Sequence, residues 1–208
     1  MRNLFVSLHI TVACLIAAIA VAQAQDHPKP VPVPDALRVP ANAEPFLTAH
    51  AIGTQNYVCL PTAPASGSGS GSGSGFAFSL FTPQATLSSP GQHQQLATHF
   101  LAPNPAENGT GRPAWQDSRD GSTVWGKAAQ QSSDAAFVKP GAIPWLLLEI
   151  TGTAAGPGGG STLTKTAFIQ RVNTTGGVAP STGCESQADV GHRAFVPYTA
   201  DYVFFKTR

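Results

Sequence analysis

Charge is scarce in this chain: only 11% of its 208 residues are Asp, Glu, Lys or Arg, where a soluble domain usually carries about a quarter. Neither sign dominates, since 12 Lys and Arg stand against 11 Asp and Glu. Without a basic surplus there is nothing to neutralise a row of phosphates, which excludes general nucleic-acid binding. Catalytic signatures are missing too. No GxSxG, HExxH, GxGxxG or EF-hand loop occurs, which removes the commonest hydrolases, metalloproteases, dinucleotide enzymes and calcium modules. One near miss, Gly121-Ser-Thr-Val-Trp-Gly-Lys127, begins like a phosphate-binding loop. Ala128 follows it, so the hydroxyl that would hold Mg²⁺ is absent. The Gly156–Gly160 run precedes an expected strand rather than a helix, which argues against a dinucleotide site. No cofactor and no metal are expected.

In place of charge the chain has 21 Gly, 18 Pro and 42% hydrophobic residues, and its length suits one domain. Residues 1–24 read as a secretory signal peptide. Arg2 supplies the positive start, Ile10 to Ala22 is an uncharged apolar stretch, and Ala22-Gln23-Ala24 is the small-x-small cleavage pattern. The mature chain is expected to begin at Gln25, in a secreted or periplasmic setting, with no membrane association after cleavage. As an anchor the apolar run falls short of the roughly 20 residues a span needs. Lipidation at Cys14 is disfavoured, because the run continues past it and Thr11 stands where a large aliphatic residue is required.

Cleavage leaves Cys59 and Cys184, which in an exported protein are most simply a disulfide. The alternative, a pair of metal-binding thiolates, lacks a CxxC or a nearby His cluster. The two cysteines are 125 residues apart, and closing so long a loop stabilises by up to about 4–5 kcal/mol in the chain-entropy model.

Residues 25–43 hold Pro28, Pro30, Pro32, Pro34 and Pro40 and read as an extended, poorly ordered arm. From Glu44 the texture changes to short runs rich in Val, Phe, Thr, Trp and Tyr, bounded by Gly, Pro and Ser. Strands are expected at Phe46–His50, Thr54–Cys59, Phe76–Phe81, Ala85–Leu87, Leu96–Phe100, Thr123–Ala128, Trp145–Ile150, Thr164–Val172 and Tyr202–Phe205. In Phe76-Ala-Phe-Ser-Leu80 the large apolar side chains recur every second residue, the period of a half-buried strand. The best helical stretch, Ala128–Phe137, is interrupted by Ser132, Ser133 and Asp134. Strands without alternating helices imply a single all-β domain over residues 44–208, an antiparallel β-sandwich or barrel-like fold with long Gly- and Pro-rich loops. The sandwich is the preferred form. The Gly-Ser repeat at 66–75 reads as an elongated surface loop, since closure entropy grows only logarithmically with length.

Several segments in order carry a resemblance. They are His50-Ala-Ile-Gly-Thr-Gln-Asn-Tyr-Val-Cys59, Pro83-Gln-Ala-Thr-Leu87, Thr98-His-Phe100, Pro113-Ala-Trp-Gln-Asp117 and Asp120-Gly-Ser-Thr-Val-Trp-Gly-Lys127. Further along come Ile143-Pro-Trp-Leu-Leu-Leu148, Phe168-Ile-Gln-Arg-Val-Asn-Thr-Thr-Gly-Gly-Val-Ala-Pro180, Gly183-Cys184 and Val196-Pro-Tyr-Thr-Ala-Asp-Tyr202. Over His50 to Phe205 the chain resembles the exported family called domain of unknown function 3455, found in bacteria and fungi. The resemblance implies a single exported domain and agrees with pairing Cys59 to Cys184. It brings no established activity and no catalytic residues.

The densest polar-aromatic region is Trp115-Gln-Asp117-Ser-Arg-Asp120, followed by Trp125 and Lys127. There Trp115 can stack on a sugar or another ring while Asp117 and Asp120 accept its hydroxyls. The plainer and favoured reading is a turn at Asp120-Gly121 with Trp115 in the core. His50 and His99 lie at expected strand ends, where with Asp117 they would form a metal site or a general base and its partner. Two ordinary hydrogen-bonding histidines are the commoner outcome. Arg171 can bind a carboxylate, or pair internally with an acid such as Glu149. Asn108-Gly-Thr and Asn173-Thr-Thr are glycosylation sequons for a eukaryotic host. The leading functional expectation is a non-enzymatic domain that binds a small molecule or a surface glycan. The alternatives are a hydrolase or lyase using Asp117 or Asp120 with His99, and a structural envelope or stress protein.

Overall fold

A computed structural model describes residues 31–62, 75–91 and 93–208. The expected signal peptide, the cleavage point after Ala24 and nearly all of the Gly-Ser repeat lie outside these residues. Eight strands follow one another along the chain: β1 (Ala43–Pro61), β2 (Phe76–Ser88), β3 (Gln95–Asn104), β4 (Thr110–Asp117), β5 (Thr123–Ser132), β6 (Trp145–Ala154), β7 (Phe168–Gly176) and β8 (Arg193–Thr207). Each pairs antiparallel with the next, and β8 returns to β1, so the sheet closes on itself as a barrel. The all-β expectation holds, and of its two forms the barrel is the one observed. No helix among the described residues is long and apolar enough to cross a membrane.

Closure depends on one continuous first strand where the sequence suggested two. Gly53 is not a turn: it pairs with Ala85 on one side and Tyr198 on the other. A Cβ there would lie 2.0 Å from the Gln84 carbonyl oxygen, so only glycine lets β1 and β2 meet this closely. β2 likewise runs unbroken through Thr82-Pro83, opposite Asn56 and Gln55. β4 has no counterpart among the expected strands, because Gly111 and Pro113 disguise it. It nevertheless pairs with β3 from Ala97–Asp117 to Asn104–Thr110. Of Ala128–Phe137, the best helical stretch by sequence, the part up to Ser132 continues β5 against β6.

The barrel interior is the principal core. At one end it is filled, with Ala49, Ala51, Ala85, Ala97 and Ala200 leaving room for Trp115, Tyr202 and Phe204. That end is plugged by the β6–β7 connection, whose Leu163 is fully buried and donates its N–H to Ser122 Oγ at 3.1 Å. A second cluster lies on the outer wall, where Trp145, Leu147, Val172, Val203 and Phe205 point away from the interior. It is covered by Val138, Phe137 and the segment from Val31 to Val39, which includes a single 3₁₀ turn at Asp35–Leu37. The Pro-rich arm, expected to be loose, is therefore packed from Val31 onward. Leu37 is wholly buried, and its carbonyl accepts a 2.6 Å hydrogen bond from Gln170 Nε2.

Candidate functional site

At the end opposite Leu163 the interior is not filled. A cavity of about 380 Å³ opens there, bounded by β1, β2, β3, β4, β5, β6, β7 and β8 and by Ile143 and Pro144 before β6. Two neighbouring ladders stop short at this end. β2 and β3 pair only from Ser88–Gln95 to Ala85–His99, and β4 and β5 only over Ala114–Gln116. Beyond His99 the Leu101 N–H is held instead by Thr82 Oγ1 at 3.1 Å. The size is that of a small-ligand pocket, at the low end of the usual range of roughly 300–1,000 Å³.

One wall is a flat aromatic face. His99 and Trp115 are direct partners across the β3–β4 ladder, and their rings stack with centroids 4.3 Å apart and planes 9° from parallel. Tyr202 meets both edge-on or tilted, 5.3 Å from His99 and 5.6 Å from Trp115. His99 Nδ1–H donates to the Ala114 carbonyl at 2.9 Å, which leaves Nε2 as an acceptor. Burial lowers the His99 pKa to about 3, against the raising effect of that hydrogen bond, and the nearby Arg171 charge lowers it further. The imidazole is thus a neutral ring at ordinary pH.

The opposite side is polar. Tyr57 Oη donates to the Gly177 carbonyl at 2.6 Å, and the Tyr198 and Tyr202 hydroxyls lie 3.4 Å apart. Burial raises the pKa of all three tyrosines, while the Arg171 guanidinium pulls each of them back down. Arg171 lines the cavity together with Tyr57, Tyr202 and His99. Its own hydrogen bonds run to the Pro144 carbonyl, from Nε at 3.3 Å and Nη2 at 2.8 Å. Gln55 Nε2 and Trp115 Nε1 are buried and have no partner among the described residues. Gln55 and both of β8's tyrosines escaped the sequence reading. Their signal was the two-residue period of Gln55/Tyr57 and of Tyr198/Ala200/Tyr202/Phe204, which sends every second side chain inward.

The family model for a protein of unknown function, DUF3455, matches residues 40–206, which is nearly the whole barrel. The chain belongs to the DUF3455 family. No curated protein and no solved structure matches it.

Of the residues singled out in this DUF3455 sequence, only His99, Trp115 and Arg171 meet at the cavity. Asp117 and Asp120 are occupied in fixing a turn. Asp117 Oδ1 accepts the N–H groups of Arg119 and Asp120, at 2.8 and 2.9 Å. Asp120 Oδ1 takes the N–H and hydroxyl of Ser122, and its Oδ2 takes the Thr162 N–H at 2.9 Å. These bonds, led by the one from the Ser122 hydroxyl, hold the Asp120 carboxyl far below its ordinary pKa. No hydrogen bond joins either carboxylate to His99. The glycine-rich loop packs directly on this turn, since a Cβ at Gly160 would lie 2.3 Å from Asp120 Cβ.

His50 is on the outer side of β1, between the inward, fully buried Ala49 and Ala51, and its Nδ1 donates to Asp201 Oδ1 at 2.7 Å. It cannot reach His99 inside the barrel, and the trio of His50, His99 and Asp117 is not assembled. Among the described residues no three His, Cys, Asp or Glu side chains gather as a metal ion would require. Trp125 is buried but does not line the cavity. Lys127 approaches Glu149 at 3.9 Å, so Glu149 is not the partner of Arg171. Cys59 and Cys184 form the disulfide, with Cα atoms 5.5 Å apart, and join the end of β1 to the β7–β8 connection.

Proposed function

We propose that this DUF3455 barrel is a non-catalytic carrier or sensor that encloses a small, largely apolar organic molecule outside the cytoplasm. The observation that carries this reading is the open half of the interior, a largely apolar cavity of small-ligand size lined by the stacked His99 and Trp115 rings and by Arg171. Apolar walls left open to water carry a cost that an apolar ligand relieves. An eight-stranded barrel is wide enough to hold one small molecule when side chains do not fill it. The disulfide supports an oxidising compartment.

Two other readings fit less well. A sugar needs many acceptors for its hydroxyls, and no Asp or Glu lines the cavity. A hydrolase or lyase would need an acid or base partner beside His99, and Asp117 and Asp120 are engaged elsewhere.

The test is a thermal-melting titration of the disulfide-intact protein with small aromatic and aliphatic compounds. Saturable binding at a hundredfold excess over Kd stabilises the fold by about 2.7 kcal/mol. Filling the cavity with Ala128→Trp is expected to abolish that stabilisation, and Asp120→Asn to leave the shift intact. Equal binding by Ala128→Trp and the wild type overturns the proposal.

A further inference from the structure

We infer that the molecule held in the cavity is a small organic monocarboxylate, with its carboxylate on Arg171 and its apolar body against the His99–Trp115 face. This rests on the reading of the barrel as a binding cup and specifies what the cup takes.

The first argument is charge. Arg171 lines the cavity, and among the described residues no carboxylate lies within ion-pair distance of it. Arg38, Arg112, Lys127, Lys206 and Arg208 have acids, and the described cations that lack one, Arg119, Lys139, Lys165 and Arg193, are all exposed to water, whereas Arg171 is half-buried. A guanidinium turned into a largely apolar cavity is costly unless an anion meets it. Its planar fork of five N–H donors suits a carboxylate, and the Pro144 carbonyl engages only Nε and Nη2.

The second argument is the balance of donors and acceptors. Beyond the two nitrogens held by the Pro144 carbonyl, the Arg171 fork has a donor nitrogen left, and Gln55 and Tyr202 line the same cavity. The lining holds no acidic side chain, so the missing component is an acceptor.

The third argument fixes the valence. Arg171 is the only Arg, Lys, Asp or Glu among the lining residues, and His99 stays neutral in its apolar stack. One positive charge matches a monoanion. A phosphate monoester, at about −1.5 to −2, would remain undercompensated. The rest of the lining is mostly apolar, with Leu80, Leu101, Leu146, Leu148, Ile143 and Pro113, and its polar members Thr82 and Gln131 carry no charge to meet a second anionic end.

The test compares isosteric probes on the full-length, disulfide-intact protein by calorimetry at pH 7: 2-naphthoate and its uncharged analogue 2-naphthamide. A charge-assisted hydrogen-bonded contact predicts tighter binding of the naphthoate by about tenfold or more. In Arg171→Gln that preference should vanish while naphthamide binding stays within about twofold, and Arg171→Lys should keep part of it. Naphthamide binding as tightly as naphthoate to the wild type overturns the carboxylate assignment and leaves the cup standing. So does a preference that survives Arg171→Gln. Binding of neither probe overturns both. Should Arg171→Gln fail to fold, the wild-type comparison with Arg171→Lys decides, an undiminished preference for the carboxylate on loss of the guanidinium fork counting against the bidentate seat.

Discussion

His99 shows how a single side chain is changed by where the strand points it. Inside the barrel its pKa falls to about 3, mainly through burial. In the unfolded chain the value is near 6.5. Between those two pH values the unfolded state binds a proton that the native state refuses. Stability is therefore complete above about pH 6.5 and falls as the pH drops towards 3, by up to about 1.4 kcal/mol per pH unit. Glu107 and Asp120, whose pKa values are also lowered, lose their contribution only further down, as the pH falls through the carboxylate range. Urea unfolding at pH 7.5 and 5 should show the His99 slope in the wild type. His99→Gln should lower stability at pH 7.5 but flatten that slope. A slope unchanged in the variant would place the acid sensitivity elsewhere. At this level the sequence was half legible. Arg171 and His99 stood out by chemistry, but their neighbours are set by register. Arg171 sits opposite Leu146 and Glu149 opposite Lys127, and no spacing along the chain reveals which residues face one another.

Strands whose side chains alternate were easy to place, whereas those containing Gly or Pro were split or missed. Gly53 and Pro83 looked like breaks, yet both sit within ladders, one for close approach and one where β2 lacks a β3 partner. The outer cluster was hidden for a different reason. Residues 31–39 alternate Val with Pro and so read as an extended arm, and the wall on which Leu37 docks is assembled from strands distant in sequence, among them β6, β7 and β8. Truncating that side chain should be costly. Leu37→Ala is expected to destabilise the protein by about 2–5 kcal/mol, as for other fully buried leucines, measurable by urea unfolding. Gln170→Ala should weaken the same contact by less, through the one hydrogen bond to the Leu37 carbonyl. A loss below about 0.5 kcal/mol in Leu37→Ala, the range of an ordinary surface change, would mean that the segment does not hold to the wall in solution.

Across the whole molecule, the choice of barrel over sandwich was not written in any local pattern, because it turns on β1 meeting β8. The disulfide reinforces that meeting. Cys59 lies near the end of β1, its N–H donates to the His192 carbonyl, and its own carbonyl accepts the Gly191 N–H. Reduction, or Cys59→Ser with Cys184→Ser, should lower stability by up to about 4–5 kcal/mol, read as a shift of the urea midpoint with the β-sheet circular dichroism retained. No shift would show that the backbone pairing alone holds this end.

The β1–β8 ladder runs from Ala43–Thr207 to Val58–Arg193, and it has a consequence in time. Of the described strands, β1 is synthesised first and β8 last. β8 is the partner for that side of β1, so the barrel cannot close until β8 has been made. Closure then takes the millisecond-to-second scale of folds built from distant pairings. Until then the nascent chain carries a long, unpaired strand edge, a template for misassembly, and loss of the 15 residues that form β8 would make that exposure permanent.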